Sequence, residues 1–188
     1  MSLGWLLLLG FLVVAVSLIF NSLIAKKNEI ENALGAVHSY LQKRADLIPN
    51  LVATVKQYAA HESNLFKELT EARAALGRPM TGEGDLQACD SLMSQMFGRL
   101  IAVAENYPDL KANQNFLSLQ GSLNEIEGQL SAARRTYNAA VVQYNNAVEG
   151  IPTVFVAKVL GYRRKAVFQV APGVEAKPDL AQLFGQVS

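Results

Sequence analysis

A single cysteine, Cys89, rules out any disulfide within the chain, so no covalent staple helps to hold its core. Only two histidines occur, His38 and His61. Four-helix bundles build metal sites from Glu-x-x-His pairs, but the residues three before these histidines are Gly35 and Tyr58. His61-Glu62 opens like a zinc-protease helix, yet the fifth position is Leu65 and the second ligand is missing. There is no glycine-rich phosphate loop and no nucleophile elbow. Cys89 sits on an apolar stripe and reads as a structural thiol rather than a nucleophile. A formal net charge of +1 argues against binding nucleic acid through a basic field. These absences leave a chain expected to be no enzyme and to need no cofactor or metal.

Charge is absent altogether from Met1 to Ala25. Leu3 to Phe20 is almost entirely apolar and, at ~1.5 Å per helical residue, long enough to cross a hydrocarbon core of ~30 Å. Ala15-Val16-Ser17 offers small residues of the kind a signal peptidase reads. Against cleavage, no Lys or Arg precedes the run, and Leu18-Ile19-Phe20 continue it, so the segment reads as a retained span. No lipobox cysteine is present. Lys26, Lys27, Lys43 and Arg44 all follow the span. The positive-inside rule then puts the N-terminus outside and the remainder in the cytoplasm, with the opposite orientation as the alternative.

Beyond the span the chain reads as helix throughout. No Pro or Gly lies between Phe11 and Leu34, so the membrane helix is expected to run on into water. Ile30, Leu34, Val37 and Leu41 form a first apolar stripe. At Asp46-Leu47-Ile48-Pro49-Asn50 a break is expected, with Asp46 capping a new helix and Pro49 in its first turn; a kinked continuous helix is the alternative. Ile48, Leu51, Val55, Tyr58, Leu65, Leu69, Ala72 and Leu76 form the second stripe, interrupted by Glu62. Gly77-Arg78-Pro79 stops it, and Asp85 is the expected cap of the next helix. The third stripe is Cys89, Met93, Met96, Leu100, Val103 and Tyr107, ended by Pro108, after which Asp109 can cap again. The fourth runs from Phe116 through Leu130, Tyr137 and Tyr144 to Ala147 in alternating steps of 3 and 4.

The expected fold is therefore all-α, with an N-terminal transmembrane helix (1–25) continuing into an antiparallel up-and-down four-helix bundle (26–150). Its long, coiled-coil-like helices are expected at about 26–46, 48–76, 85–107 and 110–149. In that topology the fourth helix ends near the bilayer. There it delivers the segment 151–170, apolar through Val154, Phe155, Val156, Val159 and Leu160, and followed by Tyr162, Arg163, Arg164 and Lys165. Such a segment suits a membrane surface with acidic headgroups. The plainer alternative is that it folds back on the bundle and the basic triplet is merely solvated. An irregular tail is expected for 171–188. A fourth seam this long also leaves room for self-association.

Tyr40-Leu41-Gln42-Lys43-Arg44-Ala45-Asp46-Leu47-Ile48-Pro49-Asn50-Leu51-Val52, then Thr70-Glu71-Ala72-Arg73, resemble the bacterial LemA family. So do Tyr107-Pro108-Asp109-Leu110-Lys111-Ala112-Asn113 with Phe116, Arg134-Arg135-Thr136-Tyr137-Asn138-Ala139-Ala140-Val141 with Tyr144-Asn145, and Pro152 with Gly161-Tyr162. The chain departs where many members have Arg-Arg-Tyr before the Asp and here Lys43-Arg44-Ala45 stands, and where an aromatic is commoner than Leu34 or Gly35. The resemblance implies a membrane-anchored antiparallel four-helix domain in a family without an established enzymatic activity. Its members often sit near genes for membrane metalloproteases or other envelope proteins.

The function expected is a non-catalytic scaffold or adaptor of the bacterial cell envelope at the inner membrane, docking a protein partner such as a membrane protease. A self-assembling membrane-bound oligomer and a sensor input domain are the alternatives. Polar residues within apolar seams need a reason, so Asp46, Pro49, Asn50, Arg134, Tyr137, Asn138, Tyr144 and Asn145 are the candidate docking or structural residues. The orientation is testable. With Cys89→Ser and Ser188→Cys, a membrane-impermeant maleimide should label spheroplasts only after lysis if the bundle is cytoplasmic. Labelling of intact spheroplasts would reverse the assignment.

Overall fold

Helix α1, Ser2–Asp46, carries the apolar span without interruption into the folded head. The computed structural model describes residues 2–77 and 82–168. Among the described residues six further helices follow: α2 (Ile48–Lys56), α3 (Ser63–Leu76), α4 (Glu83–Ala104), α5 (Pro108–Lys111), α6 (Gln114–Glu149) and α7 (Thr153–Val159). The expected tail, 171–188, lies outside the described residues. Large apolar side chains from Leu3 to Val14 are all more than half exposed. Water would make that surface unfavourable; a hydrocarbon solvent makes it neutral or better, which fits a membrane anchor.

The junction at Pro49 is a kink and not a reversal. One residue, Leu47, separates α1 from α2, and its backbone stays in the right-handed helical region at φ −77° and ψ −21°. The Leu51 amide donates to the Leu47 carbonyl at 3.0 Å, so helical bonding resumes at once. Pro49 stands in the first turn of α2, where its missing N–H costs nothing. Asp46 ends α1 and accepts a bond from Gln42 Nε2 at 3.3 Å, instead of capping α2.

The reversal comes ten residues later. The helix expected over 48–76 is split, because residues 57–62 form a turn between α2 and α3. That turn contains neither Gly nor Pro and is held from outside. Asn113 Nδ2 donates to the Tyr58 hydroxyl at 2.9 Å, and the Tyr107 hydroxyl donates to Glu62 at 3.4 Å. Two starts also shift. Gly82, with an extended backbone, precedes α4, leaving Asp85 inside the first turn. Pro108 and Asp109 open the single-turn helix α5, and the cap of α6 is Asn113, whose Oδ1 accepts the Phe116 amide at 3.0 Å.

Contacts fix the directions. Glu62 meets Tyr107 while Glu68 pairs with Arg99, so α3 and α4 are antiparallel. Tyr58 meets Asn113, Arg44 meets Glu127, and Val16, Ser17 and Phe20 line a groove with residues of α7, so α6 runs back along α2 and the part of α1 beyond the span. The order is up, down, up, down. The head is built from α2, α3, α4 and the first half of α6, with the single turn α5 between α4 and α6. Below the start of α4, about two turns under the level of Arg44, α1 and α6 continue as a two-helix stalk. Ile30, Val37 and Leu41 of α1, with Leu130, Tyr137, Ala140 and Tyr144 of α6, are buried along it.

Head and stalk meet at a cluster of four charges. Arg44, 5% exposed, reaches Glu127 at 3.0 Å, Asp90 at 3.7 Å and the Ser94 hydroxyl at 3.1 Å, and its guanidinium lies 4.9 Å from the Phe97 ring centroid. Arg134 bonds Asp90 at 2.5 Å and Glu127 at 3.4 Å. Burial pushes the Asp90 carboxyl above its ordinary range, with Arg134 opposing, and pulls the Arg44 guanidinium down against the pull of Glu127 and Asp90. Asp90 therefore favours folding most below its unfolded pKa, and that contribution is lost as pH rises through its raised folded value. The cluster ties α1, α4 and α6 in one register, and removing one partner strands the others. Arg44→Ala should cost about 3 kcal/mol, the low end for a buried pair because Glu127 is 40% exposed and regains water. Chemical denaturation of the detergent-solubilised chain measures it.

Candidate functional site

The end of α6 is set by Gly150. A Cβ there would lie 2.8 Å from the Asn146 carbonyl oxygen, which already accepts the Gly150 amide, so only glycine permits this close exit. The Thr153 hydroxyl then donates to the Ala147 and Gly150 carbonyls and starts α7. Helix α7 stops in a glycine cap. Gly161 has φ +73°, its amide bonds the Lys158 carbonyl at 3.2 Å, and the Tyr162 amide bonds the Ala157 carbonyl at 3.0 Å. The chain leaves that cap in an extended conformation and climbs back along α6.

This returning segment, residues 163–168, forms the third layer of the stalk. Asn145 Nδ2 donates to the Lys165 carbonyl and Asn145 Oδ1 accepts the Lys165 amide, both at 2.9 Å. Asn138 does the same for Phe168, at 3.1 and 2.8 Å. The Tyr144 hydroxyl donates to the Arg163 carbonyl at 3.0 Å and the Tyr137 hydroxyl to the Ala166 carbonyl at 3.4 Å. The Tyr-Asn dipeptide thus occurs twice, seven residues apart, and each copy holds three residues of extended chain. The match is metric: seven helical residues rise ~10.5 Å, and three extended residues span ~10 Å. Every atom gripped is main chain. The one side chain engaged deeply is Phe168, 5% exposed, whose ring meets the edge of Tyr137 at 5.0 Å. Burial first, then the neighbouring Tyr162 phenol, pushes the Tyr144 hydroxyl up from its usual value, so it keeps the proton it donates.

Helix α7 forms a second feature, at the foot of the stalk. Phe155 and Val159, four apart on the helix, are 67 and 87% exposed, Ile151 just before the helix is 84% exposed, and Ala157 is buried. An apolar face therefore points outward beside Val16, Ser17 and Phe20, at the end of the span. The basic residues divide. Arg163 is exposed, Arg164 pairs with Glu149 at 3.1 Å, and Lys165 is half-buried. Tyr162 turns inward onto Tyr144, with ring centroids 6.4 Å apart.

Of the eight candidate docking residues, the fold gathers Tyr137, Asn138, Tyr144 and Asn145 into the clamp. Arg134 belongs to the charge cluster. Asp46, Pro49 and Asn50 are exposed at the kink. The repeated dipeptide was a visible signal for the clamp; its ligand, the chain's own main chain, was not. Asp90, Glu127, Asn113 and Phe168 were not singled out by sequence reasoning. His38 and His61 are exposed, Cys89 is half-buried, and no group of three or more potential metal ligands occurs among the described residues.

An apolar span, a stalk continuous with it and a helical head define a membrane-associated all-α protein. The chain belongs to the LemA family, whose profile matches residues 33–181. It is similar to magnetosome protein MamQ 2 of Paramagnetospirillum magneticum, at 25% identity over 193 residues, covering 89% of this chain and 71% of that protein. It is similar to magnetosome protein MamQ of Magnetospirillum gryphiswaldense at 22% identity over the same shares. Protein LemA of Metamycoplasma hominis is 24% identical over 163 residues, 87% of this chain and 74% of that one.

The clamp makes a measurable prediction. Asn145→Ala removes both bonds to Lys165 and leaves a half-buried amide and carbonyl without partners, at about 1–3 kcal/mol. Hydrogen exchange at the Lys165 amide should speed up roughly ten- to a hundred-fold, with a smaller effect at Phe168. Unchanged exchange would mean that Asn145 does not hold the segment.

Proposed function

We propose that the chain is a non-catalytic membrane-anchored scaffold of the bacterial cell envelope, whose head docks a protein partner. The observation that carries this reading is the continuity of α1 from lipid-facing Leu3 to the buried Arg44 cluster, which makes anchor and head one rigid piece. From Phe20 to the end of α2 the helix rises ~50 Å, so a partner on the head is held at a set height. The exposed apolar face of α7 supports a footing in the interface beside the span, with Arg163 facing acidic headgroups. Under this reading the head's exposed α3 surface meets the partner, and a membrane protease or another envelope protein is the class expected.

Photocrosslinking residues at Lys67 and Glu71, both exposed on α3, test it in living cells. The expected result is the same heterologous protein from both positions, lost when the first 25 residues are deleted. Adducts only with a second copy of the chain would overturn partner docking in favour of self-assembly. No adducts from either position would overturn it outright.

A further inference from the structure

The clamp on α6 is a binding site for extended polypeptide that happens to be filled from within. All six of its partner atoms on residues 163–168 belong to the main chain, so nothing in the hydrogen bonding restricts it to the chain that carries it. Arg163, Arg164, Ala166 and Val167 are exposed, leaving Phe168 as the only deeply seated anchor. The segment connects to α7 through exposed Gly161 and half-buried Tyr162, whose ring rests on Tyr144, and α7 itself stays packed on α1. An exposed glycine in the left-handed region, next to a short segment held by main-chain bonds, gives a connection that can re-aim the segment toward another copy.

We infer that the segment 163–168 exchanges in trans, and that the clamp of one chain takes the extended segment of a second copy. The occupant follows from the geometry. Every copy carries a segment that satisfies the clamp completely, bond for bond, including the Phe168 seat. The span and α7 set clamp and segment at one height above the bilayer in every copy, so neighbours in the membrane present the two at the same level. Exchange conserves all the clamp bonds and costs only the opening of the closed form. It converts the cover of the stalk's third layer into a link between chains. This pairing is independent of partner docking on the head, and each can fail without the other.

Val142 and Val167 line one groove between α6 and the segment, and both are substantially exposed. In a Cys89→Ser background, Val142→Cys and Val167→Cys chains are co-expressed and their membranes oxidised mildly. A Lys67→Cys chain co-expressed with Val167→Cys measures random collision. The expected result is a mixed Val142–Val167 dimer severalfold above that control, falling to the control level when the Val142→Cys chain also carries Asn138→Ala and Asn145→Ala. A chain carrying both Val142→Cys and Val167→Cys reports that the segment is seated. If it closes its disulfide only within itself while the mixed pair stays at the control level, exchange is overturned. A mixed dimer unaffected by the clamp substitutions overturns it as well, since the clamp would then not be the receptor.

Discussion

The antiparallel pairing of α1 with α6 is the interaction on which the rest of the structure depends. Among the described residues it is the packing that runs from the membrane end to the head, and it is made at near-heptad spacing by aliphatic side chains and the rings of Tyr137 and Tyr144. Of the head's other helices, α4 starts about two turns below Asp90 of the Arg44 cluster. Without α1 against α6 there would be nothing to carry the head away from the bilayer and nothing to bring α7 back to it. The pairing also explains why a charge cluster is tolerated in the interior. Apolar seams can slide by a heptad at modest cost, whereas Arg44 and Arg134 find Asp90 and Glu127 in one register alone.

Below that cluster the stalk has a geometric difficulty. Two helices cannot cover each other's seams on all sides, and large side chains such as Tyr137 and Tyr144 would face water. The chain meets this with its own returning segment, which supplies a third layer without needing a third helix. An extended segment brings unpaired amides and carbonyls with it, so the α6 surface beneath must be polar at intervals. Tyr and Asn at two successive heptads answer both needs, apolar ring and polar tip together. The length of the fourth seam, which on sequence grounds left room for self-association, is thus covered within one chain over Tyr137 to Val148.

Much of the fold was legible because apolar periodicity survives in it. The positions read as seams are buried or half-buried almost throughout, from Ile30 and Leu41 to Leu130 and Tyr144, and Tyr58 is the exception. The turn at 57–62 was not legible. It has no local breaker and exists because Tyr58 and Glu62 bond residues about fifty positions away. Pro49 was ambiguous for a different reason: a proline in a first turn is equally at home after a reversal and after a kink. Polar residues in the fourth seam were marked as anomalous, but their partners are backbone atoms, and backbone leaves no trace in a sequence.

The main-chain character of the clamp has an evolutionary corollary. Only the amides of residues 165 and 168 are required as donors, so proline is barred at two positions, and Phe168 must fit its seat. Among the described residues, the side chains of residues 163, 164, 166 and 167 are exposed, and Arg164 pairs at the surface with Glu149. Selection can rewrite that outward face, in charge or in greasiness, to suit a different lipid or neighbour while the ladder beneath stays as it is.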